Sequence, residues 1–164
     1  MLTIRPATIA DLPRLPELFD YDDVDDMIAR HARRITSGEH SIFLLWDGAD
    51  LIGELHVTWR SDDPRFAIDG QRAYLSAFRI REDHQGVGCG SFLLDSVIRL
   101  IDQGTFQDTP FVQGIYREIT VGVEDDNPRA RHMYEKRGFT RCVARCRESY
   151  QGDEYEFDLL LRQR

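Results

Sequence analysis

Apolar residues along this chain recur with two periods, one of two residues and one near 3.6, and the switches between them mark out its elements. Leu2-Thr-Ile-Arg5 reads as a short strand closed by Pro6. Thr8 then caps a helix start at Ile9-Ala-Asp-Leu12, and Leu12, Leu15, Leu18 and Phe19 give that helix an apolar face despite Pro13 and Pro16. A second helix runs from Val24 to Thr36 and ends near Gly38. Ser41–Trp46 and Leu51–Trp59 are strands flanking Asp47-Gly-Ala-Asp50, a hairpin turn by its chemistry. In the second of these strands the two-residue period puts Glu54 and His56 on one face.

A polar loop from Ser61 to Gln71 leads into Ala73–Ile80, a strand by its bulky apolar character. Phe92, Leu93, Leu94, Val97, Ile98, Leu100 and Ile101 then recur at helical spacing. The stretch from Gly104 to Tyr116, with Pro110 and Gly114, is long for a connection within one compact domain, which points to a functional or mobile segment. Glu118–Glu124 alternates as a strand. Asn127 is an N-cap, Pro128 takes the first helical position, Ala130, Met133, Tyr134 and Arg137 lie along the helix, and Gly138 stops it. Phe139–Arg147 and Glu154–Leu161 close the chain as strands around a Gln151-Gly-Asp153 turn. The expected fold is α/β, a mixed sheet with helices packed on it, in a single domain spanning residues 1–164.

Composition narrows the function. With 164 residues, 41% hydrophobic and 30% charged, the chain is long enough for a real core and ordinary for a globular protein. The net charge of −8 argues against nucleic acid as the main partner and suits a cationic one. No apolar run is long enough to cross a membrane and the first residues lack a signal-peptide core, so a cytoplasmic location is expected, with no membrane partner. Cys89, Cys142 and Cys146 show no paired-ligand spacing, and their odd number fits a reducing compartment. His31, His40, His56, His84 and His132 are scattered along the chain, so no metal is expected. Lys136 is the sole lysine in a chain otherwise rich in arginine, which excludes a Walker-type phosphate lysine and argues against a Schiff base.

The distinctive chemistry lies between the strand ending at Ile80 and the helix beginning near Phe92. Gln85-Gly-Val-Gly-Cys-Gly-Ser91 has three glycines in five residues, which lets the backbone turn sharply and present N–H groups with no Cβ in the way. At a helix start those donors and the helix dipole favour phosphate. A dinucleotide fold fits poorly, because Ser91 stands where a third glycine is needed, the loop begins several residues after the strand, and no acid ends a following strand where a ribose would need one. A second feature stays open. Five aspartates fall between Asp20 and Asp26, either as a solvated helix start or as an attraction for a cationic substrate.

Two separated motifs carry a family resemblance. Gln85-Gly86-Val87-Gly88-Cys89-Gly90 matches a Gln/Arg-x-x-Gly-x-Gly/Ala loop at Gln85, Gly88 and Gly90, and Asn127, Ala130, Tyr134, Gly138 and Phe139 match an Asn-x-x-Ala-x-x-x-Tyr-x-x-x-Gly-Phe helix. Together they make the chain resemble the GNAT superfamily of acyl-CoA-dependent N-acetyltransferases. The resemblance implies a GNAT-like, mostly antiparallel central sheet and direct transfer of acetyl from acetyl-CoA to a primary amine. It assigns the coenzyme pyrophosphate to Gln85, Gly86, Val87, Gly88, Cys89, Gly90 and Ser91. It assigns the pantetheine arm and acetyl carbonyl to backbone groups of Phe78, Arg79 and Ile80, with a further coenzyme contact from Asn127. It places Tyr134 beside the thioester sulfur as the acid for the departing thiolate. The base is not fixed by a motif; Glu54 is the first candidate because it lies mid-strand, followed by Glu124 and His56. The expected partner is a small, cationic amine acceptor, with a homodimer as one permitted assembly. A protein or peptide amine, or a non-catalytic acetyl-CoA sensor, is the alternative.

Overall fold

The computed structural model describes residues 1–106, 109, 110 and 114–164. Its elements are β1 (Leu2–Pro6), a 3-10 helix (Ile9–Glu17), α1 (Val24–Thr36), β2 (His40–Asp47), β3 (Asp50–Thr58), β4 (Arg72–Ile80), a short 3-10 turn (Glu82–His84) and α2 (Cys89–Gln103). After them come β5 (Thr105–Phe106), β6 (Thr109–Pro110), β7 (Glu118–Glu124), α3 (Pro128–Glu135), β8 (Arg141–Tyr150) and β9 (Asp153–Gln163). Seven strands form one sheet in the order β1-β2-β3-β4-β7-β9-β8. Every neighbouring pair is antiparallel except β4 and β7, which run parallel.

The sheet is covered on both faces, which explains why Ile42 to Trp46 read as a continuous apolar run. One face buries Phe43, Leu45, Leu55, Val57, Leu75 and Val121 against Leu93, Leu94, Val97, Ile98 and Ile101 of α2. The other packs Ile42, Leu44, Trp46 and Leu51 against Leu12, Leu15 and Met27 from the first two helical segments. Burying each such side chain contributes about 1.5–3 kcal/mol, so α2 is fixed by the apolar stripe that its spacing announced.

The structure departs from the sequence expectations in three places. The first helical segment is 3-10 rather than α, consistent with Pro13 and Pro16, which supply no N–H to an α-helical ladder. Its start is fastened by Asp11, whose carboxylate accepts from the Thr8 backbone N–H at 2.7 Å and from Arg5 at 2.7 and 2.9 Å. The helix after the glycine loop begins at Cys89, so Cys89, Gly90 and Ser91 form its first turn instead of ending a loop. The long connection expected from Gly104 to Tyr116 contains a two-stranded ribbon, Thr105–Phe106 against Thr109–Pro110, while residues 107–108 and 111–113 of it lie outside the described residues.

Candidate active site

The parallel pair at the centre of the sheet comes apart. β4 and β7 pair only from Arg72 with Glu118 to Leu75 with Val121. Just beyond, the register between β3 and β4 shifts from His56 opposite Ser76 to Glu54 opposite Arg79, and Ala77 takes a φ of +50°. An extra residue on one strand is a β-bulge, and a positive φ at alanine is strained backbone of the kind held at functional sites. Past the bulge, Arg81 donates its N–H to the Ile52 carbonyl at 2.7 Å. The alternation of an antiparallel pair therefore turns the backbone of Arg79 toward β3 and that of Phe78 and Ile80 toward the gap. The Ile80 carbonyl accepts from the Gln85 side chain at 2.8 Å, which ties the glycine loop to this strand.

At that end of the gap Gly86 and Gly88 have φ of +78° and +90°, and a Cβ on either would point into open space. Gly88 is the N-cap of α2, with no side chain closing the helix end. The result is a cradle of main-chain amides at a helix N-terminus, open to an anion of phosphate size. Asn127 caps α3, its side-chain carbonyl accepting from the Ala130 N–H at 3.1 Å. Coenzyme A fits this donor set, since its pyrophosphate needs close backbone N–H groups and its pantetheine amides need strand groups that face away from β3, such as those of Phe78 and the Ile80 N–H.

The gap continues into a cavity of about 790 Å³ lined on one side by Ala77, Phe78, Gly122 and Tyr134 and on the other by Tyr21, His31 and His56. Tyr134 is buried on α3, edge-on to Phe139, and burial alone pushes its phenol up to about 12, so it holds its proton at neutral pH. Phe157 lies across Gly122, where a Cβ would come within 2.8 Å of its ring, so that glycine is required by close approach. Glu54 is fully buried. Its Oε1 accepts from Arg79 at 2.8 Å, and His56 Nε2 sits 3.0 Å from its Oε2. Burial works to raise the Glu54 carboxyl, but His56 and Arg79 together outweigh it and hold it below the usual range. Arg79 in turn lies 3.8 Å over the Phe19 ring and donates to the Tyr21 hydroxyl at 3.2 Å.

The expected shared face of Glu54 and His56 is therefore present, and the structure adds what spacing did not suggest. His31 from α1 and His40 from the start of β2 join His56, and one ring nitrogen of each lies within 4.8 Å of the others. The expectation that the histidines are scattered fails for these three. Hairpin register could have revealed part of it, because pairing around Asp47–Asp50 sets His40 opposite Thr58 and Ile42 opposite His56. Burial comes first in pushing the His31 imidazole down to about 3 and the His40 imidazole lower still, so both are neutral. The aspartate run is not on the cavity wall, apart from Tyr21 within it. Asp23 caps α1 by accepting from the Asp26 N–H at 3.0 Å, as a solvated helix start would.

A mixed sheet parted between two parallel strands, with an open cradle of main-chain amides at one end and a protonated phenol partway along, suits the binding of an acyl-coenzyme A. The chain belongs to the acetyltransferase (GNAT) family, which it matches over residues 8–139, and is an acetyl-CoA-dependent N-acetyltransferase. Among curated proteins none matches it in sequence. Solved structures share its fold at low identity. A chimera of spermidine N-acetyltransferase SpeG from Vibrio cholerae and hSSAT is 20% identical, with 99% of this chain and 95% of that one covered and a TM-score of 0.69. Ribosomal-protein-alanine N-acetyltransferase from Brucella melitensis is 16% identical, with 99% of each chain covered and a TM-score of 0.73. The yncA protein of Salmonella typhimurium, solved with its cofactor acetyl-CoA, is 22% identical, with 99% and 93% covered and a TM-score of 0.66. Among the described residues, no helix is long and apolar enough to cross a membrane.

Proposed function

We propose that this enzyme acetylates the primary amine of a small molecule carrying net positive charge, inside the cleft between β4 and β7. The observation that carries the reading is that the bulge at Ala77 and the buried phenol of Tyr134 share one cavity, with the open glycine cradle tied to the same strand through Gln85. In this reading the amides of Gly86 to Ser91 hold the coenzyme pyrophosphate, and Phe78 and Ile80 meet the pantetheine arm and acetyl group. Arg79 keeps the strand between them fastened to Glu54. Bound acetyl-CoA supplies a thioester whose carbonyl carbon accepts the amine.

The chain's own groups do the rest. Holding amine and carbonyl together removes much of the entropic barrier, an effect that reaches about 7–11 kcal/mol in well-oriented systems. A backbone N–H facing the gap at Phe78 or Ile80 stabilises the oxyanion as the C–N bond forms. As the C–S bond breaks and negative charge develops on sulfur, the Tyr134 hydroxyl, which burial keeps protonated at neutral pH, donates its hydrogen bond and then its proton to the sulfur. Glu54 has both oxygens engaged and no exposed surface, so its part is to position Arg79 and His56 at the acceptor end. Glu124, at the exposed end of β7, is left to receive the ammonium proton through water.

Support for a cationic acceptor comes from the net charge of −8 and from Glu124 and Glu148, both exposed and both on the cavity wall. Spermidine, the substrate named for the SpeG chimera, belongs to that class. A second reading rests on Arg30 and Arg34, which line the opposite wall and would suit an amine that also bears a carboxylate. Coenzyme A release across polyamines, aminoglycosides, amino acids and peptide N-termini separates them. A polyamine or aminoglycoside as best substrate supports the first reading; an amino acid supports the second; a peptide as best substrate overturns both.

A further inference from the structure

The histidine cluster has a geometry that acetyl transfer does not call for. His56 Nδ1 and His40 Nε2 face each other at 3.0 Å. The far nitrogen of each ring is fixed from behind, His56 Nε2 by Glu54 at 3.0 Å and His40 Nδ1 by the Thr58 hydroxyl at 3.2 Å. A hydrogen-bonded chain would account for those two rings. It leaves out His31, which is 6% exposed and whose Nδ1 is buried with no hydrogen-bond partner among the described residues. A buried polar nitrogen left unsatisfied is a cost that a ligand would remove.

We infer that His31, His40 and His56 form a binding site for a divalent transition-metal cation of the zinc class at the acceptor end of the cleft. Three nitrogen donors suit Zn²⁺, Co²⁺ or Ni²⁺ and not the oxygen-seeking Mg²⁺ or Ca²⁺. Zinc–nitrogen bonds of about 2.0–2.1 Å place tetrahedral ligand atoms roughly 3.3 Å apart. Two of the nitrogens already stand at nearly that separation, and the set closes when the widest gap, 4.8 Å at most, narrows by roughly 1.5 Å. The Glu54–His56 and Thr58–His40 contacts are the outer-shell partners that orient metal-binding imidazoles. All three rings line the cavity, so the fourth coordination position faces the cleft, where water or a donor atom of the acceptor completes it.

The test uses tag-free, full-length protein stripped with a chelator and titrated with Zn²⁺ by calorimetry, with Co²⁺ as the spectroscopic probe. One equivalent bound, with the intense visible absorption of four-coordinate cobalt, is expected. Glu54→Gln should weaken binding by about 10–100-fold. His31→Gln and His40→Gln should weaken it at least as much, while His132→Gln, at an exposed position on α3, should leave it unchanged. Acetyl-CoA affinity measured on the same samples tests the enzyme reading separately, because its cradle is the glycine loop. Where a histidine variant does not fold, the wild-type stoichiometry and cobalt spectrum decide. Less than one equivalent bound, a weak six-coordinate cobalt spectrum, or full binding by His31→Gln each overturns the inference and returns the cluster to a hydrogen-bonded chain.

Discussion

The two ends of the cleft present different kinds of group. At the glycine-loop end the available groups are main-chain amides, placed by Gly86, Gly88 and the start of α2. At the other end they are side chains drawn from three separate elements, His31 of α1, His40 of β2 and His56 of β3, braced by Glu54 and Arg79. A site made of backbone needs particular residues at fixed, short spacing, because only glycine tolerates those φ values. A site made of side chains can draw them from anywhere the fold brings together. The first kind leaves a motif, and the second leaves none.

The sharpest way to break this division is at Tyr134, a side chain that the proposed chemistry sets between the two ends. Tyr134→Phe keeps the ring against Phe139 and removes the hydroxyl. Turnover should fall by about two to three orders of magnitude, with acetyl-CoA affinity within a few-fold of wild type by calorimetry. Normal turnover in that variant would mean that proton delivery comes from the acceptor end.

Gly88→Val probes the backbone itself. Nothing lies within 4 Å of a Cβ there, so packing in the free protein is untouched. The left-handed φ of +90° costs an L-residue about 1–2 kcal/mol, and the branched side chain would stand where a phosphate approaches. Coenzyme affinity should drop by about ten-fold or more, while chemical denaturation still shows a folded domain with slightly reduced stability. Unchanged affinity would remove the cradle from the binding site.

The same contrast governs what could be read from the chain alone. Gln85 to Ser91 and Asn127 to Phe139 announced themselves because turns and caps impose local rules; β3 followed from the turn chemistry beside it, β4 from its bulky apolar character and β7 from the two-residue period. Val24–Thr36 was legible to its ends, since Asp23 caps it and Gly38 follows it. The bulge at Ala77 was not visible, because alanine gives no local sign of a positive φ. Nor was the union of His31 with His40, which depends on how α1 lies on the sheet. The engagement of both Glu54 oxygens was hidden for the same reason: Arg79 is its neighbour only across strands.

Where side chains provide the fastening, pH should reveal it. Asp11 holds the first 3-10 helix, which packs on the α1 side of the sheet, and Arg5 first among its partners keeps the Asp11 carboxyl well below the usual carboxylate range. A folded-state value below the unfolded one means that the unfolded chain binds the proton more readily. The stabilisation is therefore complete above about pH 4 to 5 and is lost as pH falls toward the folded value. Asp11→Asn should cost about 1–3 kcal/mol in urea denaturation at pH 7, and the gap to wild type should shrink steadily as the pH is lowered toward 3. A gap independent of pH would show that the aspartate acts through shape and not through charge.

The smallest expected effect concerns the rim. Glu124 and Glu148 are exposed on β7 and β8, so their pull on a cationic acceptor is made through water and screened over about 8 Å at physiological salt. Exposed charge pairs contribute about 0.2–1 kcal/mol each. Replacing both with Gln should therefore raise the KM of a polyamine acceptor by about two- to ten-fold, and the dependence of that KM on salt should flatten. The glycine cradle lies at the other end of the gap and its amides carry no titratable charge, so acetyl-CoA affinity should change less. The two effects differ in origin, which makes their ratio informative. If Glu124 also takes up the ammonium proton, Glu124→Gln alone will lower kcat while Glu148→Gln alone moves only KM. Equal loss of kcat in both single variants would place neither in the proton path, and a KM indifferent to both would leave Arg30 and Arg34 as the charges that select the acceptor.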